Sequence, residues 1–298
     1  MRWIVCGDGF LGKDLANHSS SISIPQEVHR TLKYAHLSSE ADFQSSLDWL
    51  GKSQSDIFLN ASGPSNVLDS LVNWEYYESE PRKLVEAHIR LLSTLKNPPT
   101  YVFVSSAAVY GDTSLSGATE ITPPNPISPY GVGKFKAEEF LQALTGINFP
   151  IVILRIFSSY SNNLQSRLPY AIREKFMSNN HAEFSGTGQE LRDFVHTRDI
   201  FEASSLILRT NLQAGTSTWN LASGVPVSVK DVVQLALHQY ERKAKALTYT
   251  FKFNGEMRAS DPRILLADIS KVRGLGFKPI VPPTIGLSDY FSIDADDY

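Results

Sequence analysis

The chain has 298 residues, of which 42% are hydrophobic and 20% charged, a balance that supports a globular core. Its net charge of −3 lacks the basic excess of a dedicated nucleic-acid binder, and its single cysteine, Cys6, excludes an intrachain disulfide and a cysteine-based zinc site. Charged residues interrupt the N-terminal apolar run too early for a membrane span. We therefore expect a cytoplasmic protein with no metal site, no nucleic-acid partner and no membrane partner.

The chain begins with the pattern of a strand, a glycine turn and a helix. The apolar residues 3–6 precede Gly7–Gly12, and helical spacing follows over Leu11–Asn17. In this context the backbone of such a turn can approach a pyrophosphate, which the unpaired N–H groups of the helix N-terminus attract. The alternative is an ordinary tight turn. The pattern predicts a dinucleotide site formed by Gly7, Gly9, Phe10, Leu11 and Gly12.

A second strand is predicted over Glu27–Thr31, and the residues at its end bear on the cofactor. NAD-preferring sites place an acidic residue there to accept hydrogen bonds from the ribose, whereas an arginine pairs with the 2′-phosphate of NADP. Arg30 stands near this strand end and no carboxylate competes with it. The sequence thus favours NADP(H) over NAD(H), although a solvated surface arginine and an NAD(H) site stay open.

Strand and helix patterns continue to alternate through the first half of the chain. The further strands are predicted over Asp56–Asn60, Tyr101–Ser105, Ile151–Arg155 and Thr218–Leu221, and the helices over Ala41–Leu50, Pro81–Lys96, Ser128–Leu144 and Asp199–Leu208. This alternation predicts a parallel sheet covered on both faces. After Arg155 the alternation weakens around a helix near Leu168–Met177, which indicates a second lobe.

Tyr130 and Lys134 are four residues apart, so on a helix their side chains share one face. A nearby ammonium favours the phenolate form, which a phenol with a pKa near 10 needs in order to act as an acid or base at neutral pH. Ser106, directly after the predicted strand, can hydrogen-bond a reacting oxygen. We interpret the three as catalytic candidates for hydride chemistry on an alcohol or ketone. The alternatives are a surface Tyr/Lys pair and a serine that caps local backbone.

Together these segments resemble the extended short-chain dehydrogenase/reductases of the NAD-dependent epimerase/dehydratase family, which act on nucleotide-activated sugars. The resemblance spans nearly the whole chain. Its matching segments are Gly7–Gly12, Asp56–Ser62, Ser105–Gly111, Pro129–Lys134, Leu154-Arg155, Arg192–His196, Asn220–Gly224, Arg258–Asp261 and Leu275-Gly276-Phe277.

The resemblance implies a Rossmann-type α/β fold, a doubly wound parallel sheet with a smaller C-terminal substrate-binding lobe. The dinucleotide-binding domain would comprise residues 1–157 and 195–222, the substrate lobe residues 158–194 and 223–290, and a flexible acidic tail residues 291–298. A homodimer formed through the Tyr130 helix and the Pro81–Lys96 helix is also implied. Three aromatic residues, Trp74, Tyr76 and Tyr77, lie between two of these segments. The alternatives for them are that they cover the nicotinamide pocket, that they contact a second subunit, or that they pack in the core.

The resemblance also assigns the site residues. Ser106, Tyr130 and Lys134 would be the catalytic triad, with Lys134 also holding the cofactor ribose. The substrate, a nucleotide-diphosphate sugar, would be bound by Arg192 and Arg258. Asn60, Ala61 and Ser62 would join the cofactor site, and Ser158 would occupy a substrate-phosphate position where the family often has asparagine.

Two alanines distinguish this chain from the dehydratases of the family. Those enzymes eliminate water with an Asp-Glu pair, where this chain has Ala107 and Ala108, which cannot transfer protons. The leading prediction is NADPH-dependent reduction of a nucleotide-4-keto-6-deoxy sugar, chiefly because Arg30 favours NADP(H), and the Asn60–Ser62 segment is similar to the ketoreductase branch. The alternatives are a nucleotide-sugar 4-epimerase with tightly bound NAD and a non-catalytic dinucleotide-sensing protein.

Overall fold

The computed structural model describes residues 1–19, 23, 32, 39–243 and 248–293. The predicted strand Glu27–Thr31, with Arg30, and residues 294–298 of the predicted tail lie outside this set. The strands are β1 (Trp3–Cys6), β2 (Ile57–Asn60), β3 (Thr100–Ser106), β4 (Pro150–Ile156), β5 (Ser158–Tyr160), β6 (His181–Phe184), β7 (Leu191–His196), β8 (Gly215–Leu221), β9 (Pro226–Ser228), β10 (Thr250–Phe253) and β11 (Ile264–Leu265). The helices are α1 (Phe10–His18), α2 (Glu40–Ser53), α3 (Val67–Ser70), α4 (Trp74–Ser93), α5 (Pro129–Ala143), α6 (Arg167–Ser178), α7 (Thr197–Leu208), α8 (Val229–Lys243), α9 (Ser270–Arg273) and α10 (Pro283–Ser292), with a 3₁₀ turn over Ala107–Val109.

Strands β1, β2, β3, β4 and β8 form a parallel sheet in that order. Both of its faces are buried, because successive side chains point to opposite sides and both sets are apolar. In β3, for example, Val102 and Val104 belong to one core, and Tyr101 and Phe103 belong to the other. Strands that are apolar on both faces are typical of a parallel sheet covered by helices. The predicted α/β fold with a doubly wound parallel sheet is therefore confirmed.

Helices cover the two faces of this sheet. Leu15 of α1 and Ile207 of α7 pack into one core. Phe43 of α2, Ile89 of α4 and Leu141 of α5 pack into the other. Among the described residues, no helix is both long and apolar enough to cross a membrane.

Helix α4 differs from the prediction, because it begins at Trp74 and carries Pro81, the predicted start, in its interior. Pro81 has no N–H group and cannot donate to the carbonyl oxygen of Tyr77, four residues earlier. That oxygen instead lies against Gly133 of α5, where any Cβ atom would overlap with it. The two helices therefore approach closely here. Of the aromatic residues at the helix start, Trp74 and Tyr76 are exposed, whereas Tyr77 is buried.

The C-terminal half adds two smaller sheets. Strand β7 pairs in parallel with β5 and β11 and antiparallel with β9, and β6 pairs with β10. An aromatic core that includes Phe176, Phe184 and Tyr290 joins these sheets to α6, α8 and α10. The helix predicted near Leu168–Met177 is present as α6, but the short strands were missed. In His181–Phe184 exposed and buried residues alternate over only four positions, which is too few to give a clear pattern in the sequence.

Candidate active site

The glycine turn between β1 and α1 is shaped by close backbone contacts. Gly7 has a φ of +137°, and a Cβ atom there would lie 2.6 Å from the carbonyl carbon of Ala61. A Cβ at Gly12 would overlap with the carbonyl oxygen of Gly7. Space is open above Gly9, which precedes α1 and provides no side-chain cap. The first N–H groups of α1 thus face an open space, which suits a pyrophosphate.

The predicted cofactor residues divide into two groups. Gly9, Phe10, Leu11, Ala61 and Ser62 line the cavity above the turn, which we call the inner cavity.

Gly7, Gly12 and Asn60 do not line the inner cavity, and they support it from below. The side-chain amide of Asn60 donates to the hydroxyl of Tyr101 at 2.9 Å. Its Oδ1 accepts from the backbone N–H of Ser62 at 3.1 Å. Asn60 therefore fixes the turn after β2 and makes no direct contact with the cavity, in contrast to the cofactor contact predicted for it.

Ser106, Tyr130 and Lys134, the three catalytic candidates, all line the inner cavity. Ser106 ends β3, and its Oγ accepts from the backbone N–H of Ala108 at 3.2 Å. Tyr130 lies in the first turn of α5, where Ser128 is the N-cap and accepts from the N–H of Gly131 at 3.1 Å. The fold thus brings together the hydroxyl, the phenol and the ammonium that the sequence predicted to share a site.

Gly131 allows the close approach of α5 to the turn after β3. A Cβ atom at Gly131 would overlap with the carbonyl oxygen of Ala108. On the other side of α5, the ring of Tyr77 meets the ring of Tyr130 edge-on, with centroids 6.5 Å apart. The phenol of Tyr130 is therefore held between two packed segments.

Lys134 is buried, and burial lowers the pKa of its ammonium to about 8. The charge of Glu138 opposes this effect, and the charge of Arg167 adds to it. The ammonium donates to the carbonyl oxygen of Val104 at 2.9 Å and lies 4.9 Å from the ring centroid of Phe103. One of the three N–H groups of Lys134 is thus bonded to the backbone, and this hydrogen bond fixes the orientation of the ammonium.

A buried polar network that was not predicted from the sequence lies beneath Lys134. Glu138 follows Lys134 by one helical turn and pairs with Arg155 of β4, whose Nη2 lies 2.6 Å from its Oε2. Arg155 also donates to the hydroxyl of Tyr110 at 2.8 Å, and that hydroxyl donates to Oδ1 of Asn220 at 2.7 Å. The network joins α5, β4 and β8 below the site. The one feature of the sequence that indicates this network is the spacing of Lys134 and Glu138, which are four residues apart and so share one helix face.

A larger outer cavity of about 740 Å³ opens from the inner one, and this volume is within the range of small-molecule sites. Ala107, Ala108 and Ser158 line it, as do the predicted diphosphate ligands Arg192 and Arg258.

The two arginines of the outer cavity differ in their surroundings. Arg192 is buried and forms an ion pair with Asp261, whose Oδ1 lies 2.6 Å from its Nη2. Arg258 is exposed. The positive charge of Arg192 is therefore already partly neutralised by the carboxylate of Asp261. Among the described residues, no group of three or more His, Cys, Asp and Glu side chains could hold a metal ion.

Comparison with known proteins gives the family. Residues 3–222 match the model of the NAD dependent epimerase/dehydratase family. The chain belongs to this family. It is 27% identical over 245 residues to the UDP-glucose 4-epimerase of Mycoplasma genitalium, a match that covers 74% of this chain and 69% of the relative. It is therefore an enzyme of the extended short-chain dehydrogenase/reductase type.

Solved structures agree with the fold. RMD from Pseudomonas aeruginosa, complexed with NADPH, has a TM-score of 0.77 and 19% identity, with 98% of this chain and 97% of that chain covered. The UDP-glucuronic acid 4-epimerase of Bacillus cereus, in complex with UDP-glucuronic acid and NAD, has a TM-score of 0.75 and 21% identity, with 98% and 99% covered. At these identities the likeness concerns the fold, which is Rossmann-type.

Proposed function

We propose that this enzyme reduces the keto carbon of a nucleotide-4-keto-6-deoxy sugar with NADPH. The observation that carries the proposal is that Ser106 and Tyr130 lie where two cavities meet, with Lys134 beside them in the inner cavity. The inner one begins at the glycine turn, and the outer one holds two arginines. A bound nicotinamide dinucleotide would supply the hydride at this junction.

The three side chains have separate tasks in this reaction. Tyr130 donates a proton to the sugar oxygen as the carbonyl is reduced. The Oγ of Ser106 accepts from the N–H of Ala108, so its own proton is available for a hydrogen bond to the same oxygen. Lys134 donates one N–H to the carbonyl oxygen of Val104, which leaves two N–H groups for the cofactor ribose and the phenol oxygen. Its positive charge favours the phenolate that forms when Tyr130 loses its proton.

The outer cavity would hold the nucleotide diphosphate. Arginine suits this task because its planar fork stays charged and pairs with phosphate oxygens. Arg192 and Arg258 would make these contacts, and Ser158 would add a hydroxyl. Asp261 partly neutralises Arg192 and so reduces the affinity that this arginine provides.

Elimination of water is not part of the proposal, because two alanines stand where the dehydratases of the family have their Asp-Glu pair. Ala107 and Ala108 present only methyl groups to the outer cavity. Among the described residues that line either cavity, Asp261 is the one acidic side chain, and it is paired with Arg192. Hydride transfer without dehydration therefore fits the site best.

A 4-epimerase is the second candidate, and the similarity to the Mycoplasma genitalium UDP-glucose 4-epimerase favours it. The same residues would serve: Tyr130 would take the proton of the sugar hydroxyl while the hydride of the sugar carbon passes to NAD, and it would return a proton to that oxygen when the hydride comes back to the opposite face of the keto carbon. The two reactions differ in the cofactor, since a reductase exchanges NADPH at each turnover and an epimerase retains NAD.

The test is to identify the dinucleotide retained on purification, measure its exchange, and assay a nucleotide-4-keto-6-deoxy sugar with NADPH and UDP-glucose with NAD. Exchangeable NADPH and turnover of the keto sugar would support the reductase, whereas tightly held NAD and interconversion of UDP-glucose would support the epimerase. Turnover of neither sugar would contradict both.

Arg30 gives a second arm to this test. We expect Arg30→Asp to lower the ratio of kcat/KM for NADPH over NADH, because a carboxylate would replace the cation beside the 2′-phosphate. A ratio that the substitution leaves unchanged, or a wild-type preference for NADH, would contradict this assignment.

A further inference from the structure

Arg167, the first residue of α6, has an unusual backbone conformation. Its φ is +71°, and Gln54 is the other non-glycine residue with a positive φ in the described part of the chain. Gln54 is the C-cap of α2, where left-handed backbone is common. Arg167 begins a helix, so a C-cap position does not explain its positive φ. Strain of this kind persists where the surrounding structure requires it, and such places concentrate at functional sites.

The side chain of Arg167 connects the C-terminal half to the glycine turn. Its Nη1 donates to the hydroxyl of Ser159 in β5 at 2.8 Å. The centre of its guanidinium lies 5.8 Å from the ring centroid of Phe10, the first residue of α1. The guanidinium is thus held next to the helix N-terminus that suits a pyrophosphate.

Arg167 also lies where the two cavities meet. The residues common to both linings are Ser65, Ser106, Tyr130, Ile156, Ser159, Ser166 and Arg167. Arg167 is the one cation in this set, and its charge contributes to the lowered pKa of Lys134.

No acidic residue within the described ranges forms an ion pair with Arg167, whereas Arg192 is paired with Asp261. A fixed cation in a cavity, without a carboxylate, is suited to an anion supplied by a ligand.

Under the proposed function two anions would enter this site, the pyrophosphate of the dinucleotide and the diphosphate of the sugar nucleotide. Arg192 and Arg258 line the outer cavity and not the inner one, so they are suited to the diphosphate of the sugar nucleotide. Arg167 contacts Phe10, whose backbone begins α1. We propose that Arg167 binds the pyrophosphate of the dinucleotide as a second contact beside the glycine turn, positioned by the hydroxyl of Ser159. This proposal needs dinucleotide binding and not the particular sugar reaction.

The test is direct titration of NADPH, NADH and ADP-ribose, with UDP as the probe of the sugar-nucleotide side. Arg167→Gln should weaken the three pyrophosphate ligands about tenfold or more and leave UDP binding within twofold, because it removes a charge-assisted fork. The loss should shrink as salt is raised. Arg242→Gln, a matched loss of one exposed guanidinium from α8, should change none of these affinities.

A glycine variant separates binding from folding. Glycine adopts a positive φ without strain, so Arg167→Gly should melt at or above the wild-type temperature and still lose dinucleotide affinity as Arg167→Gln does. Unchanged affinity for NADPH, NADH and ADP-ribose in both variants would overturn the proposal. A loss confined to UDP would overturn it as well, by assigning Arg167 to the sugar nucleotide. The reductase and epimerase assays are independent of these titrations, so failure of either proposal can be distinguished.

Discussion

The pKa of Lys134 predicts how the affinity for the dinucleotide depends on pH. The ammonium is buried, and burial lowers its pKa to about 8, although Glu138 partly opposes this. The charged form has three N–H groups, so that one remains for the ribose beside those directed to Val104 and to the phenol oxygen. We therefore expect the affinity to be at its full value well below pH 8 and to fall as the pH rises through this pKa.

The size of the effect follows from the populations of the two forms. With a pKa of about 8, Lys134 is about 90% charged at pH 7 and about 10% charged at pH 9. If only the charged form binds, the Kd for the dinucleotide rises about tenfold between these values, equivalent to about 1.4 kcal/mol. Lysine in water, with a pKa of about 10.4, would give almost no change over the same range.

The assay is fluorescence titration of NADPH and NADH from pH 6.5 to 9.5 at constant ionic strength. Lys134→Met should bind more weakly and show no change around pH 8. Lys136→Met is the control, because Lys136 is on the same helix but pairs with Glu78 and lies outside the inner cavity. A wild-type Kd that is constant from pH 7 to 9, or a pH dependence that survives in Lys134→Met, would refute the reasoning.

Three further predictions concern other parts of the site. Tyr130→Phe should lower kcat by about 10²–10⁴-fold and leave the dinucleotide Kd within a few-fold, because it removes the proton donor and keeps the ring; kcat at the wild-type level would exclude Tyr130 from the mechanism. Asp261→Asn should tighten UDP binding in calorimetry by freeing Arg192, while Arg192→Ala should weaken it by about 1.5–3 kcal/mol, and an unchanged Kd in both would mean that this arginine does not hold the diphosphate. Glu138→Gln should lower the free energy of unfolding by about 3–5 kcal/mol, because it leaves a buried guanidinium without its counter-charge, whereas Glu86→Gln in an exposed pair should cost less than about 1 kcal/mol; equal denaturation midpoints would contradict this.

The features that sequence alone predicts are those set by local spacing. The sheet follows from apolar strands, and the shared face of Tyr130 and Lys134 follows from helix geometry. The start of α4 was missed because Pro81 is typical of a helix beginning. Only the structure shows that the helix starts earlier and that its Tyr77 carbonyl oxygen lies against Gly133 of a neighbouring helix.

Contacts between residues far apart in the sequence were also not predicted, because they too depend on how separate elements pack. The ion pair of Glu138 with Arg155 joins a helix to a strand, and the contact of Arg167 with Phe10 joins the C-terminal half to the first helix. The sequence identified Arg155 as part of a family motif but gave no partner for it. Such pairs are fixed by tertiary packing, which the period of a single element does not encode.

Under our proposals, the placement of cations along the two cavities would explain how a chain with a net charge of −3 binds two ligands that each carry a diphosphate. Lys134 and Arg167 lie at the inner cavity, and Arg192 and Arg258 lie in the outer one. Each sits where a different phosphate or ribose group would be bound under our proposals. With Asp261 as the one acidic residue among the described lining, the local field in the cavities is opposite in sign to the net charge. Raised salt should therefore weaken the binding of both ligands, and the loss of Arg167 should reduce this salt dependence for the dinucleotide alone.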